Sequence, residues 1–291
     1  MKPAGPVASW ESPSQAWAMT RGQVAYYEAM TELGEMTPVR DLVELESQLE
    51  RWSDPIAAAA AKAPIGYITS LEGADSIVTL DHLERSYESG LRALGPAHYG
   101  IGRYALGHDT VGGLPRNGGD LIRKMDELGL ILDATHLSDG CFFEALDLFE
   151  GTIWASHSNC RALVDDPRQF SDDQLRLLIE RGAVIGSVFD GWMMVPGWIR
   201  GTSTPESTGV TLEHIVDHID RICQLAGNAC HVGIGSDLDG GFGREQSPRD
   251  LDTIADLQKL EGLLSARGYS DQDIAGIFHG NFLRLIRHAW S

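Results

Sequence analysis

Two consecutive apolar runs end in histidine: GLILDATH at His136 and GTIWASH at His157, 21 residues apart. That spacing accommodates one strand, one amphipathic helix (CFFEALDLFE) and one further strand. Parallel neighbours lie about 4.8 Å apart, so both imidazoles emerge together at the carboxyl edge of a parallel sheet. Few folds allow this. Apolar runs at 65–72, 90–98, 130–136, 152–157, 183–189 and 231–237 read as six strands, with amphipathic segments between most of them. Strands alternating with helices predict an α/β protein with a parallel sheet, doubly wound or closed into a barrel. Runs apolar throughout, such as LILDA and AVIGSVF, suit a sheet covered on both faces. A closed (β/α)8 TIM-type barrel has eight βα units, two more than are found.

Residues 10–52 read as helical from Ser12-Pro13, with a break near Thr37-Pro38, and the Ala run 57–61 extends helical character to Pro64. The stretch 190–210 reads as a long loop whose Trp192, Met193, Met194 and Trp198 either cover a pocket or pack among themselves. The chain of 291 residues is expected to be one domain. Its formal charge of −19 disfavours nucleic acid and anionic membrane as partners. Cys141, Cys160, Cys223 and Cys230 form no C-x-x-C motif, so free, largely buried thiols are expected. The N-terminus has no apolar signal core, and no stretch approaches a membrane span, so a cytoplasmic location is expected.

In α/β barrels, chemistry sits where strands end. Glu72, His98, His136, His157 and Asp237 each follow an apolar run. Taken singly, each histidine is equally well an edge residue held by hydrogen bonds. Together they form a donor set, because two histidines and a carboxylate suffice for zinc with a position left open for water. GSDLDG at Asp237 also reads as a tight turn; it lacks the rest of a calcium loop. Arg168, after Pro167, is either an exposed loop arginine or a clasp for a carboxylate. No G-x-S-x-G elbow supports a serine nucleophile.

The stretches LEGAD (71–75), LGPAHYGIGRYALG (94–107), LILDATHLS (130–138), ASHSNCRAL (155–163), DDPRQFSDDQ (165–174), VGIGSDLDG (232–240) and GNFLR (280–284) together resemble the membrane dipeptidase, or renal dipeptidase-like, family of metal-dependent amidohydrolases. The resemblance implies a TIM-type barrel, dipeptide substrates, two zinc ions and a homodimer. Glu72 would bridge the two zincs, and His136 and His157 would hold the second. Asp237 would lie beside the first zinc and the bridging water. His98 would contact substrate and the developing oxyanion, and Arg168 the substrate's terminal carboxylate.

One departure stands out. The family opens with a strand ending in His-x-Asp, which ligates the first zinc; this chain's first histidine is His82. The expectation is therefore a barrel lacking its first two strands, with one zinc or none retained, weak or no turnover and exposed sheet edges. A catalytically inactive barrel acting as a binding protein is the alternative.

Overall fold

The structure, a computed structural model, describes residues 10–238 and 240–291. Readings made on residues 1–9 and on Asp239 of the DLDG turn lie outside the described residues.

The chain alternates as expected. Helix α1 (Pro13–Glu32) is followed by β1 (Met36–Pro38), α2 (Leu42–Arg51), α3 (Pro55–Ala60), β2 (Ile65–Tyr67), β3 (Thr69–Glu72), α4 (Leu80–Glu88), β4 (Leu91–Gly95) and α5 (Gly118–Glu127). Next come β5 (Ile131–Asp133), α6 (Asp139–Leu148), β6 (Ile153–Trp154), α7 (Asp172–Glu180), β7 (Ile185–Ser187), α8 (Gly191–Met194), α9 (Pro205–Thr208), α10 (Leu212–Ala226) and β8 (Val232–Ile234). Helices α11 (Lys259–Ala266), α12 (Asp271–Ala275) and α13 (Asn281–Ala289) complete the described chain.

Every strand pairing is parallel: β1 with β2, β3-β4-β5-β6 in order, and β7 with β8. A single bridge, Ala155 to Ile185, joins the end of β6 to β7, so parallel pairing runs from β3 through to β8. Adjacent strand residues face different apolar clusters. Leu94, Leu132, Ile153 and Ile185 enter the large core shared with the surrounding helices. Ala93, Ile131, Trp154 and Val184 meet Leu45 of α2 and Leu285 and Ile286 of α13. From β5 to β7 the sheet is thus apolar on both faces, which is why those strands show no polar alternation, whereas β3 alternates half-buried and exposed residues.

Side-chain caps stop the helices where the sheet requires. Ser138 caps α6 directly after the His136 run, and Ser171 forms a capping box with Gln174 at α7. Asn281 of the GNFLR stretch is buried, and its Nδ2 donates to the carbonyls of Ala229 (2.7 Å) and Val232 (2.8 Å), fixing α13 to the start of β8.

The sequence reading needs four corrections. The run 65–72 is not one strand but two, β2 and β3, paired with β1 and β4 respectively, so eight strands stand among the described residues where the apolar runs predict six. Residues 10–52 are helical as α1 and α2, and the break near Thr37-Pro38 is not simply a break but strand β1. Thr37 precedes Pro38, which disfavours helical backbone at Thr37, and Pro38 cannot donate to a helical ladder. The segment instead pairs with β2, through Ile65 N–H to Glu35 O (3.1 Å) and Val39 N–H to Tyr67 O (2.8 Å). Residues 190–210 are not simply a loop but contain α8 and α9, and Trp192 and Met193 pack on Val188 and Trp198 in a small buried cluster. The thiols are free but not uniformly buried: Cys141 and Cys160 are buried, Cys223 is half-buried and Cys230 is exposed.

Two glycines set how closely the strand ends approach. A Cβ at Gly186 or at Gly235 would collide with the Ser156 carbonyl oxygen. Gly186→Ala and Gly235→Ala are each expected to cost about 1–3 kcal/mol or more by overpacking. Gly22→Ala in α1, where a Cβ meets nothing, is expected to stabilise by roughly 0.5–1 kcal/mol. Urea denaturation of the three variants checks this contrast.

His218 of α10 is fully buried. Its Nδ1 accepts from Cys160 N–H (3.1 Å), and its Nε2 reaches Met194 O (3.2 Å). Burial pushes its pKa down to about 4, so the folded state holds it neutral. The unfolded chain binds that proton near pH 6.5, so the stabilisation is complete above pH 6.5 and is lost as the pH falls toward 4. The expected slope from this residue is up to about 1.4 kcal/mol per pH unit, measured as the difference in urea stability between wild type and His218→Gln.

Candidate metal centre

Strand register builds the site. Leu94, Leu132 and Ile153 lie in one row of the sheet, and His98, His136 and His157 each follow that row by four residues. Glu72, the last residue of β3, pairs with Gly95 on the same edge. These four residues converge. Glu72 Oε1 lies 3.1 Å from His136 Nε2 and 3.3 Å from His157 Nε2, and the two Nε2 atoms are 3.1 Å apart. His98 Nε2 approaches the other Glu72 oxygen at 3.7 Å, and its ring packs on His136 at 4.5 Å. Glu72, His98 and His136 also form a compact donor group.

The donor chemistry fits a metal ion. The point equidistant from Glu72 Oε1 and the two Nε2 atoms lies about 1.8 Å from each, close to the ~2.0–2.1 Å typical of zinc–nitrogen bonds. The outward nitrogens already have partners: His157 Nδ1 lies 2.8 Å from Ser156 Oγ, and His136 Nδ1 lies 3.2 Å from His108 Nδ1. An outer nitrogen that donates its proton to such a partner leaves the inner one as a lone-pair donor. The titration pattern agrees. Burial lowers the pKa of His136 strongly, whereas Glu72, despite burial, is held well below the usual carboxylate range by its contacts with His136 and His157. Ionised carboxylate and neutral imidazole are the forms that bind metal.

Other buried polar groups hold the strand ends in place. Asp133 is buried in β5, and its Oδ1 accepts from Thr135 N–H (3.1 Å) and Ser156 N–H (3.0 Å), tying β5 to β6. Asn159 exchanges hydrogen bonds with Val188, accepting from its N–H (3.1 Å) and donating to its carbonyl (2.9 Å).

Arg168 is not an exposed loop arginine: it is 3% accessible. Its Nη2 donates to His157 O (2.9 Å), and among the described residues no carboxylate lies within ion-pair distance. A buried guanidinium with no direct ion pair is costly, and Asp237 and Glu72 act on it only at longer range, which suits a site built for an anion. Asp237, beyond the end of β8, interacts electrostatically with His157, Glu72, Arg168 and His98, and burial raises its pKa. His98 is lowered by burial, opposed by Glu72.

The sequence reading missed two groups. His108, in the irregular stretch after β4, is buried against His136 with no periodic pattern to mark it. Asp190, three residues past β7, is buried, with Oδ2 accepting from Trp192 Nε1 (2.7 Å), and burial pushes its pKa up to about 7. Its signal was its position just past an apolar run.

His136 and Asp237 share a further mark: both have left-handed backbone, with φ of 70° and 54°. Strain of this kind concentrates where structure serves a site rather than stability. Asp237→Gly is therefore expected to be more stable than Asp237→Ala by about 1 kcal/mol in urea unfolding.

Comparison with known proteins gives the family and the fold. The family model for membrane dipeptidase (Peptidase family M19) matches residues 15–290, and the chain belongs to that family. It is 31% identical over 216 residues to an uncharacterized protein in the pqqA 5' region of Klebsiella pneumoniae, covering 72% of this chain and 76% of that one. It is 28% identical over 256 residues to dipeptidase verJ of Clonostachys rogersoniana, covering 83% of this chain but only 62% of that one. In fold it is similar to a metallo peptidase from Rhodobacter sphaeroides liganded with a phosphinate mimic of the dipeptide L-Ala-D-Ala. That likeness has a TM-score of 0.80 at 23% identity, over 96% of this chain and 76% of that one. Among the described residues no helix is long and apolar enough to cross a membrane.

Proposed function

We propose that this chain is a zinc dipeptidase, a single domain whose parallel strands belong to a (β/α)8-type barrel. The reading rests above all on the triangle of Glu72 Oε1, His136 Nε2 and His157 Nε2, with sides of 3.1–3.3 Å. Glu72, His136, His157 and Asp237 would hold the metal. When bound, zinc supplies Lewis-acid chemistry: it acidifies water and polarises a carbonyl.

The chain's own residues supply the rest. Arg168 receives the free carboxylate of a short peptide, which limits the substrate to one whose scissile bond lies one residue away. His98, half-exposed beside Glu72, donates a hydrogen bond from Nε2 to the oxygen of the tetrahedral intermediate. Asp237 takes the proton of the attacking water on a carboxylate oxygen and returns it to the leaving amine. Its raised pKa suits that exchange. A homodimer belongs to the same reading.

Hydrolysis of a panel of dipeptides by zinc-loaded protein tests this. We expect turnover of free dipeptides, and Arg168→Met is expected to lower kcat/KM by about 10- to 100-fold with zinc retained. C-terminally amidated dipeptides should be poor substrates for wild type and indifferent to that change.

The alternative reading is a non-catalytic binding protein, in which the same Glu72, His136 and His157 donors hold an ion without turnover. Retained zinc and dipeptide binding without turnover would establish it.

A further inference from the structure

We propose that His108 is a positioning residue for the metal site: its Nδ1 accepts the Nδ1–H of His136 and so turns the His136 ring with Nε2 free for a cation. The inference rests on reading Glu72, His136 and His157 as the metal site. The two Nδ1 atoms lie 3.2 Å apart, and the residues are only 6% and 5% accessible. Two ring nitrogens at this distance share one proton. If His108 donated it, His136 Nε2 would carry the ring's other proton and face His157 and Glu72 as a donor. The reverse arrangement leaves that nitrogen as a lone pair, and a neutral acceptor orients the ring without adding negative charge.

The loop after β4 is built to deliver His108 there. Gly107 bridges to Leu137 in antiparallel fashion, Ser138 N–H donates to Leu106 O (2.9 Å), and Ser138 Oγ donates to Gly112 O (2.9 Å). These contacts fix both sides of His108 to the turn that carries His136. A Cβ at position 107 would strike the His98 carbonyl oxygen, so glycine is needed immediately before His108. The ring of Tyr99 packs on His108 at 4.6 Å, and Tyr99 OH accepts from Arg200 Nη2 (3.2 Å). The imidazole is thus held on one side by an edge-on contact with the Tyr99 ring and on the other by His136.

The test is zinc affinity, measured by competition with a chromogenic chelator for wild type, His108→Asn and His108→Phe. Asparagine places its Oδ1 near the position of the histidine Nδ1 and keeps the acceptor; phenylalanine keeps the ring and loses it. The proposal predicts zinc binding about 10- to 100-fold weaker in His108→Phe, with His108→Asn close to wild type. Wild-type affinity in His108→Phe, or equal losses in both variants, would overturn it. Wild type that retains no zinc would defeat the metal-site reading itself, and this inference with it. If His108→Phe does not fold, imidazole 15N–1H spectra of zinc-loaded wild type decide the question. The proton on His136 Nδ1 supports the proposal, and the proton on His108 Nδ1 refutes it.

Discussion

The parallel register of β3 through β6 is the constraint on which the site depends. Parallel strands place their carboxyl ends on one edge, and a common row, Leu94–Leu132–Ile153, sets the level from which His98, His136 and His157 depart. A slip of one residue would turn each of those positions to the opposite face. The register is secured by the two-faced apolar core, because neighbouring residues such as Ile131 and Leu132 belong to different clusters and cannot exchange places.

Beyond the last strand hydrogen bonds, polar contacts replace the ladder. Asp133 ties the Thr135 turn to Ser156, Asn159 ties the β6 end to Val188, and His218 joins Cys160 to Met194. These buried groups are satisfied by backbone, so their energetic role is to define one geometry for the donors rather than to add much net stability. The site itself works against stability. His136 and Asp237 sit in left-handed backbone, Arg168 is a buried charge with no ion-paired carboxylate among the described residues, and Glu72 and two imidazoles crowd one point. In the proposed reading a bound cation relieves the crowding at Glu72 and a bound carboxylate pairs with Arg168, while the left-handed backbone at His136 and Asp237 remains.

Much of this was legible in the sequence, for physical reasons. Five of the six apolar runs each contain one strand, largely buried on both faces, which leaves an apolar signal. The run 65–72 holds β2 and β3, whose residues are half-buried or exposed, and the polar residue after each run marks the edge where the chain leaves the sheet. Glu72, His136 and His157 could be singled out on that basis. Strand β1 escaped notice because three residues around Pro38 carry no periodicity, and only pairing with β2 makes them a strand. The buried state of Arg168 is equally tertiary: a Pro-Arg dipeptide in a polar loop gives no sign of which way the side chain turns. His108 was missed because its loop is shaped by glycines and by bridges to residues 137 and 138, contacts distant in sequence. GNFLR illustrates the converse, since its asparagine secures α13 to β8 and touches no donor.

The central claim is that two imidazoles and one carboxylate form a metal site. Zinc K-edge X-ray absorption on protein loaded with zinc and then desalted tests it most directly. The account predicts tightly held zinc with a shell of nitrogen and oxygen at about 2.0–2.1 Å and outer-shell scattering from two imidazoles. Zinc lost on desalting, or a sulfur shell at about 2.3 Å from the cysteines, would contradict it.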